Sequence, residues 1–270
     1  MALTTFHFLD ALKKRIEFFF CSEVCLEEDA MAGDEKLIVN TVNPFTIEAM
    51  GPDFNTLAIW DEDSTGRLIP GGRQGVETVR VKDIASSGKP TIYLEEPLAN
   101  DWTVLDGSGA SNNVLIARAP DCERIFNVYL GDVRVNVKFP AIVVIPKSKN
   151  IRWTWLSGST DTITADISIY IKDDDTQDAH ARSLKFTDAL EWVLMSEFHI
   201  SPTNQIYSFE RATGSYVTDI QYGKIQIGSE FIQTSTLTYT MELSVWRSLV
   251  AAQGNLVTEF PFPAIKVNKT

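Results

Sequence analysis

The β signal of this chain is clearest in YVTDIQYGKIQIGSEF, residues 216–231, and in IQTSTLTYTMELSVW, which follows at residues 232–246. In the second stretch, apolar residues from Leu237 to Val245 alternate with threonine, glutamate and serine. A period of two places the two sets on opposite sides of a pleated strand. We therefore predict long antiparallel strands with one side in the core and the other towards water.

Two other stretches have the apolar spacing of amphipathic helices. Residues 4–24 and residues 175–198 repeat apolar side chains every three or four positions, and polar residues occupy the other faces. Each helix is expected to bury one stripe of its surface. The stripes are Phe8, Leu12, Ile16 and Phe19 in the first helix, and Phe186, Leu190, Val193 and Leu194 in the second.

Residues 131–171 predict further strands. GDVRVNVKFPAIVVIPK alternates at first and then becomes a continuous apolar run between Pro140 and Pro146, where the ladder is expected to be interrupted. KSKNIRWTWLSGSTDT is polar and basic, and it predicts a long hairpin or a projecting loop. TADISIYIK alternates again, which predicts a second strand.

Residues 36–130 have a different texture, with short β-favouring runs between glycine, proline, asparagine and aspartate. We interpret them as a small β-domain inserted after the first helix. The expected division is a core of residues 1–35 and 131–250, the insertion at 36–130, and an extended C-terminal segment at 251–270.

The composition is that of an acidic globular protein. The 270 residues carry a formal net charge of −12, and 44% are apolar, which is enough to form a core. The negative charge makes binding to a phosphate backbone a poor expectation. No run approaches the ~18 apolar residues of a membrane span, and the charges of the N-terminal segment lie inside its apolar stretch, unlike those of a signal peptide.

The three cysteines predict reduced thiols and folding in the cytoplasm, because their number is odd and no secretory signal precedes them. Cys21 and Cys25 are four residues apart on the first predicted helix. They would share a metal in the alternative interpretation, but no CxxC pair or histidine cluster accompanies them. Buried free cysteine is the favoured interpretation.

A run of acidic residues precedes the second predicted helix. Residues 172–194 read KDDDTQDAHARSLKFTDALEWVL, with Asp173–Asp175 followed by His180. A calcium loop would need a glycine for its turn and a glutamate at its end, and the run has neither. Asp175 or Thr176 can instead accept bonds from the first amides of the helix, whose positive end suits the negative charge. We predict a helix cap, with a bound cation as the alternative.

The stretch after Pro146 combines basic and aromatic residues. Such residues are favoured in protein interfaces, so we predict an oligomer or partner interface there. The alternative is a buried tryptophan pair with solvated lysines, and three basic residues in an acidic protein make a nucleic-acid site the weaker interpretation. The candidate interface residues are Lys147, Lys149, Arg152, Trp153 and Trp155.

Signatures of catalysis are missing from the sequence. It has no GxSxG elbow, no P-loop and no GxGxxG after a strand. Its three histidines have no ligand-like spacing. We therefore expect no enzyme activity, no catalytic or metal-ligating residues and no cofactor.

The order of these elements resembles that of the tail terminator (tail completion) proteins of long-tailed bacteriophages. The resemblance covers about residues 1–25 and 131–247. Residues 36–130 and the segment after Trp246 depart from it. The matching pieces are TFHFLDALKKRIEFFF, GDVRVNVKFPAIVVIP, TADISIYIKDDDTQDAHARSLKFTDALEWVL and TDIQYGKIQIGSEFIQTSTLTYTMELSVW.

The resemblance implies an α/β (α+β) fold, with an antiparallel or mixed sheet and helices packed on one face. It implies a structural virion protein, assembled in the host cytoplasm, that forms a homo-hexameric ring. Such a ring caps the tail tube, ends its polymerisation and joins the tail to the neck or stopper proteins. Its partners would be the tail tube protein, the neck or stopper protein and, where the tail is contractile, the sheath. Genome DNA would pass through without sequence-specific binding.

Three other functions remain open at this point. The chain could be another neck or tail adaptor component of a phage. It could be a carbohydrate- or protein-binding β module that exposes Trp60, Tyr93 or Trp102, although core packing of these aromatics is favoured. It could also be a metal-dependent enzyme built on Asp173–Asp175 and His180.

Overall fold

The protein is mostly β-sheet, with two sheets and two helices among the residues that the computed structural model describes. Neither described helix is long and apolar enough to cross a membrane. The described residues are 5–45, 55–62, 76–105, 113–118, 125, 127–131, 139–153, 158–172, 176–195, 212–227 and 230–246.

One sheet has five strands in the spatial order β10-β11-β9-β8-β7. β7 runs parallel to β8, and every other neighbouring pair is antiparallel. This agrees with the expected mixed sheet. The strands are β7 (Val128–Leu130), β8 (Ala141–Trp153), β9 (Gly158–Lys172), β10 (Ala212–Ile227) and β11 (Glu230–Trp246).

The two helices share one hydrophobic core with this sheet. They are α1, Thr5–Phe20, and α2, Thr176–Met195. The apolar stripes that the sequence predicts in both are buried, together with the isoleucines of β9 from Ile163 to Ile171. Because these isoleucines lie at every second position, they all belong to one side of the sheet. We call this side the helix side.

Polar contacts fix α2 on the helix side as well. The buried hydroxyls of Ser183 on α2 and Ser235 on β11 are hydrogen-bonded to each other. Tyr239 Oη on β11 also donates to the Leu194 carbonyl of α2, at 3.5 Å. Satisfied contacts of this kind fix the rotation of a helix on a sheet more tightly than apolar packing alone.

The second sheet has six strands in the order β1-β6-β3-β4-β5-β2, all of them antiparallel to their neighbours. It has its own apolar core, in which Trp102 and Phe45 are the largest side chains. The strands are β1 (Glu23–Cys25), β2 (Lys36–Ile38), β3 (Thr56–Glu62), β4 (Glu77–Ala85), β5 (Thr91–Leu94) and β6 (Asn113–Arg118).

The six-stranded sheet begins before residue 36, where the insertion is predicted to start. β1 pairs with β6, and the acidic segment that follows β1 bonds to the loop after β5. Asp29 accepts from the Val104 amide at 2.7 Å, and Asp101 accepts from the Ala32 amide at 2.8 Å. These aspartates therefore accept hydrogen bonds from backbone amides of the loops. The predicted division into domains stays a prediction, and its segment 251–270 lies outside the described residues.

Arg118, at the end of β6, contacts both α1 and the six-stranded sheet. Its guanidinium lies 3.9 Å from the ring centre of Phe19 on α1 and 5.8 Å from that of Phe45. Its Nη2 donates to the Pro44 carbonyl. Burial lowers the pKa of Arg118 to about 9, because removal from water disfavours the charged form. The cation–π and hydrogen-bond contacts offset part of that cost.

The first helix is shorter than predicted. It ends at Phe20, and Cys25 lies on β1 instead of on the helix. The two cysteines therefore do not share a helix face, as the sequence had suggested. Pairing of β1 with β6 overrides the local helical pattern, which is a tertiary effect. Cys21 and Cys25 are both free thiols, and Cys122 lies outside the described residues.

The basic stretch after Pro146 forms a long hairpin, which was one of the two expected forms. β8 continues through Pro146 to Trp153 and pairs with β9, with a bulge between Pro146 and Ser148. The bulge accommodates a residue that has no amide to donate. β8 starts just after Pro140, as expected. The alternating stretch at 132–138 lies outside the described residues.

Part of the threonine side of β11, which the alternation predicts to face water, is buried instead. Thr238 and Thr240 are buried, although they lie opposite the helix side. Their short side chains bond to neighbours across the strands, and the longer Lys147 side chain reaches over them to Thr238 at 3.3 Å. The sheet is thus shielded on both sides, by apolar packing on one and by polar contacts on the other.

Candidate functional site

The two predicted interface lysines of β8 are paired with aspartates of β9. Lys147 lies at the bulge, and its Nζ is 3.2 Å from Asp166 Oδ1 with about half of the side chain exposed. Lys149 Nζ is 2.8 Å from Asp161 Oδ2, and Asp161 is fully buried. Both lysines therefore neutralise the sheet's own aspartates. A role in binding a partner stays a prediction.

The other predicted interface residues are only partly described. Arg152 is exposed on β8. Trp153 is the last residue of β8, with its side chain outside the described part of the chain, and Trp155 lies outside it altogether. The structure places Lys147 and Lys149 on one hairpin with Arg152, but it does not bring them into one contiguous cluster.

The acidic run before α2 gains no support as a chemical site. Asp173–Asp175 lie outside the described residues, and α2 begins at Thr176, so the helix cap at Asp175 or Thr176 stays a prediction. Asp178 lies in the first turn, where negative charge suits the helix dipole. His180 is exposed. Among the described residues, no group of three or more His, Cys, Asp or Glu side chains could hold a metal.

Two of the three aromatics considered for ligand binding are core residues. Trp60 and Trp102 are almost fully buried, as core packing predicts. Tyr93 is the exception, because 40% of its surface is exposed. It stands on β5 between its cross-strand neighbours Lys36 and Asp83.

A cavity of about 860 Å³ lies beside β4 and the loop after β5, and Lys185 of α2 also lines it. Glu77, in its wall, accepts bonds from the Ala99 amide at 2.6 Å, from Asn100 Nδ2 at 3.1 Å and from Trp102 Nε1 at 2.7 Å. Its carboxylate is therefore occupied in holding the loop. The cavity lining mixes both signs of charge.

The side of the five-stranded sheet opposite the helices carries a ladder of small polar side chains. Its members bond across β9 and β11 at directly opposed positions. Ser168 and Thr236 are 2.9 Å apart, and Thr164 and Thr240 are 3.3 Å apart, measured between hydroxyl oxygens. We call this surface the polar face and define it by Thr164, Asp166, Ser168, Thr236, Thr238 and Thr240.

The centre of the polar face is the best connected. Thr238 Oγ1 donates to Asp166 Oδ1 at 2.7 Å, and Lys147 Nζ lies 3.2 Å from the same carboxylate oxygen. A carboxylate held by a hydroxyl and an ammonium group is stabilised as an anion. The polar face is thus a largely buried hydroxyl network with its charges compensated, which suits a structural role better than acid–base chemistry.

We expect Thr238→Val to lower the free energy of unfolding by about 1.5 kcal/mol, because it removes a hydrogen bond to a charged acceptor while it keeps shape and β propensity. The matched control is Thr236→Val, which removes a bond to the neutral Ser168 hydroxyl and should lower it by about half as much. Urea denaturation of both variants measures the difference. Equal losses would show that the Asp166 contact has no special weight.

The position of β10 in the sheet is a feature that no motif in the sequence predicts. It is the edge of the five-stranded sheet, and among the described strands it pairs with β11 alone. Most of its side chains from Tyr216 to Gln226 are exposed. The alternation of the sequence predicts a strand here, but it does not say that the strand is the sheet's edge.

No protein-family model matches this chain, and no match to it was found among curated proteins.

Proposed function

We propose that this chain is a structural virion protein of the tail-terminator kind, which forms a ring on the end of a phage tail tube. One observation carries the proposal. The described parts of the four sequence pieces that resemble tail terminators become α1, β8, β9, α2, β10 and β11, and these elements surround a single hydrophobic core. Pieces that are far apart in sequence thus fold together as one sheet with two helices.

The sheet at the centre of this core is stabilised on both sides. The helix side is closed by α1 and α2, and on the polar face the buried hydroxyls of Ser168, Thr238 and Thr240 have their hydrogen bonds satisfied within the sheet. Buried polar groups with satisfied bonds make a rigid sheet, as a subunit of a fixed assembly requires. In the part of the chain that the structure describes, no group of three or more His, Cys, Asp or Glu side chains could hold a metal, and the proposal assigns the chain no catalytic role.

In this role the ring would end polymerisation of the tube and connect it to the neck or stopper proteins. Its partners would be further copies of itself, the tail tube protein, the neck protein and, in a contractile tail, the sheath. The net charge of −12 disfavours binding to a phosphate backbone. DNA would therefore pass a ring of this composition without being held.

The test is to mix the purified chain with tail tubes of the same phage and to image the tube ends by negative stain. We expect a ring of about six copies on one end of each tube, and tubes that stop growing when more tube protein is added. Tube subunits that are not polymerised serve as the control, because the ring is expected to fit the end of the assembled tube and not the free subunit. Tubes that keep growing and bear no ring would overturn the proposal.

A further inference from the structure

β10 leaves an unusually long edge on the five-stranded sheet. The strand spans 16 residues, and among the described strands its only neighbour is β11. An edge strand presents a row of unpaired amides and carbonyls, which is a template for another strand. Its exposed apolar side chains strengthen this tendency: Tyr216, Tyr222 and Ile225 are each between 43% and 49% exposed.

The other described edges are too short to match it. β7, at the opposite edge of the same sheet, has three residues, and so do β1 and β2 at the edges of the six-stranded sheet. A strand that covers β10 along its length must therefore be long itself. Among the edge strands that the structure describes, β10 of a second copy meets that condition.

A bulge in β10 sets which side chains share a side. The register with β11 shifts between Val217 and Asp219, so Thr218 is the extra residue. As a result, Tyr216 and Ile225 lie on the same side, that of the polar face, where they oppose Thr240 and Ile232. Without the bulge, residues nine positions apart would point to opposite sides.

Apolar side chains of β10 lie at matching positions on the two sides of Gln221. On the helix side, Ile220 and Tyr222 are its immediate neighbours, opposite Leu237 and Ser235. On the polar-face side, Tyr216 and Ile225 lie equally many ladder positions from Gln221, because the bulged Thr218 takes no position of its own. In a two-fold contact residue i of one copy meets residue j of the other and j meets i, so an axis at Gln221 brings these apolar side chains together.

We propose that two copies of this chain pair through β10, antiparallel, about a two-fold axis at Gln221. Ile220 of each copy then faces Tyr222 of the other, and Tyr216 faces Ile225, so exposed apolar side chains meet across the contact. Asp219 faces Gly223, so that no like charges oppose each other. The two five-stranded sheets become one continuous sheet.

This contact goes beyond the proposed ring and does not depend on it. A ring around a tube joins copies head to tail through two different patches, whereas β10 pairing uses the same strand of both copies. Pairing also covers an edge that would otherwise be open to aggregation. The proposed pair is therefore a form of the free chain in solution.

Cross-linking tests the axis directly. In Gln221→Cys, the two introduced thiols face each other across the axis, so mild oxidation should give a disulfide-linked dimer. The matched control is Gln226→Cys, an equally exposed residue of β10 that would face Ser215 instead of itself. Wild type, oxidised in parallel, measures any linkage through the native cysteines. Equal yields from the two variants would overturn the proposed axis.

Light scattering coupled to size exclusion tests the contact without new cysteines. Wild type is expected at twice the chain mass of 30.2 kDa, and the double variant Tyr216→Lys/Ile225→Lys at the chain mass, because four lysines would face each other. Phe6→Lys, on an exposed residue of α1, should leave the dimer intact. A wild type that stays at the chain mass at high micromolar concentration would overturn the contact. A double variant that still forms the dimer would overturn it as well. Neither result bears on ring formation at tube ends.

Discussion

Replacing Trp102 with Ala is expected to lower the free energy of unfolding by about 4 kcal/mol, the largest loss from a single substitution that we predict. The indole is 1% exposed and lies in the core of the six-stranded sheet. Its truncation leaves a cavity among apolar side chains. It also removes the N–H that donates to Glu77 Oε2 at 2.7 Å, so that a buried carboxylate loses one of its three donors.

The contribution of that hydrogen bond is measured separately with Trp102→Phe, which keeps most of the ring volume. We expect this variant to lose about 2 kcal/mol. The matched control is Trp192→Ala on α2, because this tryptophan is 37% exposed and its removal should lower stability by about 1 kcal/mol. Urea denaturation followed by far-UV circular dichroism, at one fixed protein concentration, gives the three values. Similar losses at the two tryptophans would contradict the assignment of Trp102 to the core.

Replacing Lys149 with Met is expected to lower the free energy of unfolding by about 3 kcal/mol. The lysine ammonium compensates Asp161, which is fully buried on the helix side of the sheet. Removing one partner of a buried ion pair leaves the other charge less well compensated in a medium that solvates it poorly. The lysine side chain is about a quarter exposed, so the expected loss lies at the lower end of the range for buried pairs.

The chain contains a close control for this substitution. Lys147→Met, two residues earlier on the same strand, breaks the ion pair with Asp166, but half of the Lys147 side chain is exposed. We expect a loss of about 0.5 kcal/mol there, as for a surface pair. The double variant Lys149→Met/Asp161→Leu should recover most of the stability, because it removes both charges together. Thermal unfolding of the four proteins decides the matter, and equal losses for the two lysine variants would refute the burial argument.

Local patterns in the sequence predicted most of the elements of the five-stranded sheet. The stripes of both helices are buried as their spacing predicts, and the strands of the last hairpin follow the alternation from residue 216 to 246. These patterns act over a few residues, because a helix turn or a strand pleat repeats at that distance. The first helix shows the limit of such patterns, because its last predicted turn gives way to the pairing of Cys25 with Leu115.

The candidate site was predictable only in part. The sequence identified Lys147 and Lys149 as notable, but not that each is paired with an aspartate on the next strand. The acidic segment after Cys25 has no local pattern that predicts a partner, yet Asp29 there accepts a hydrogen bond from the loop amide of Val104. In both cases the partner is distant in sequence, and no local period specifies it.

By itself, then, the sequence determined the type of the main elements and the faces that their apolar side chains occupy, because periodicity is a property of neighbouring residues. The tertiary structure alone decided that Thr238 and Thr240 of β11 are buried, that Asp161 has a counter-ion and that β10 is the edge of the described sheet. Each of these depends on which strands meet across the sheet. That choice is made by burial summed over the whole core, and not by the residues of any one segment.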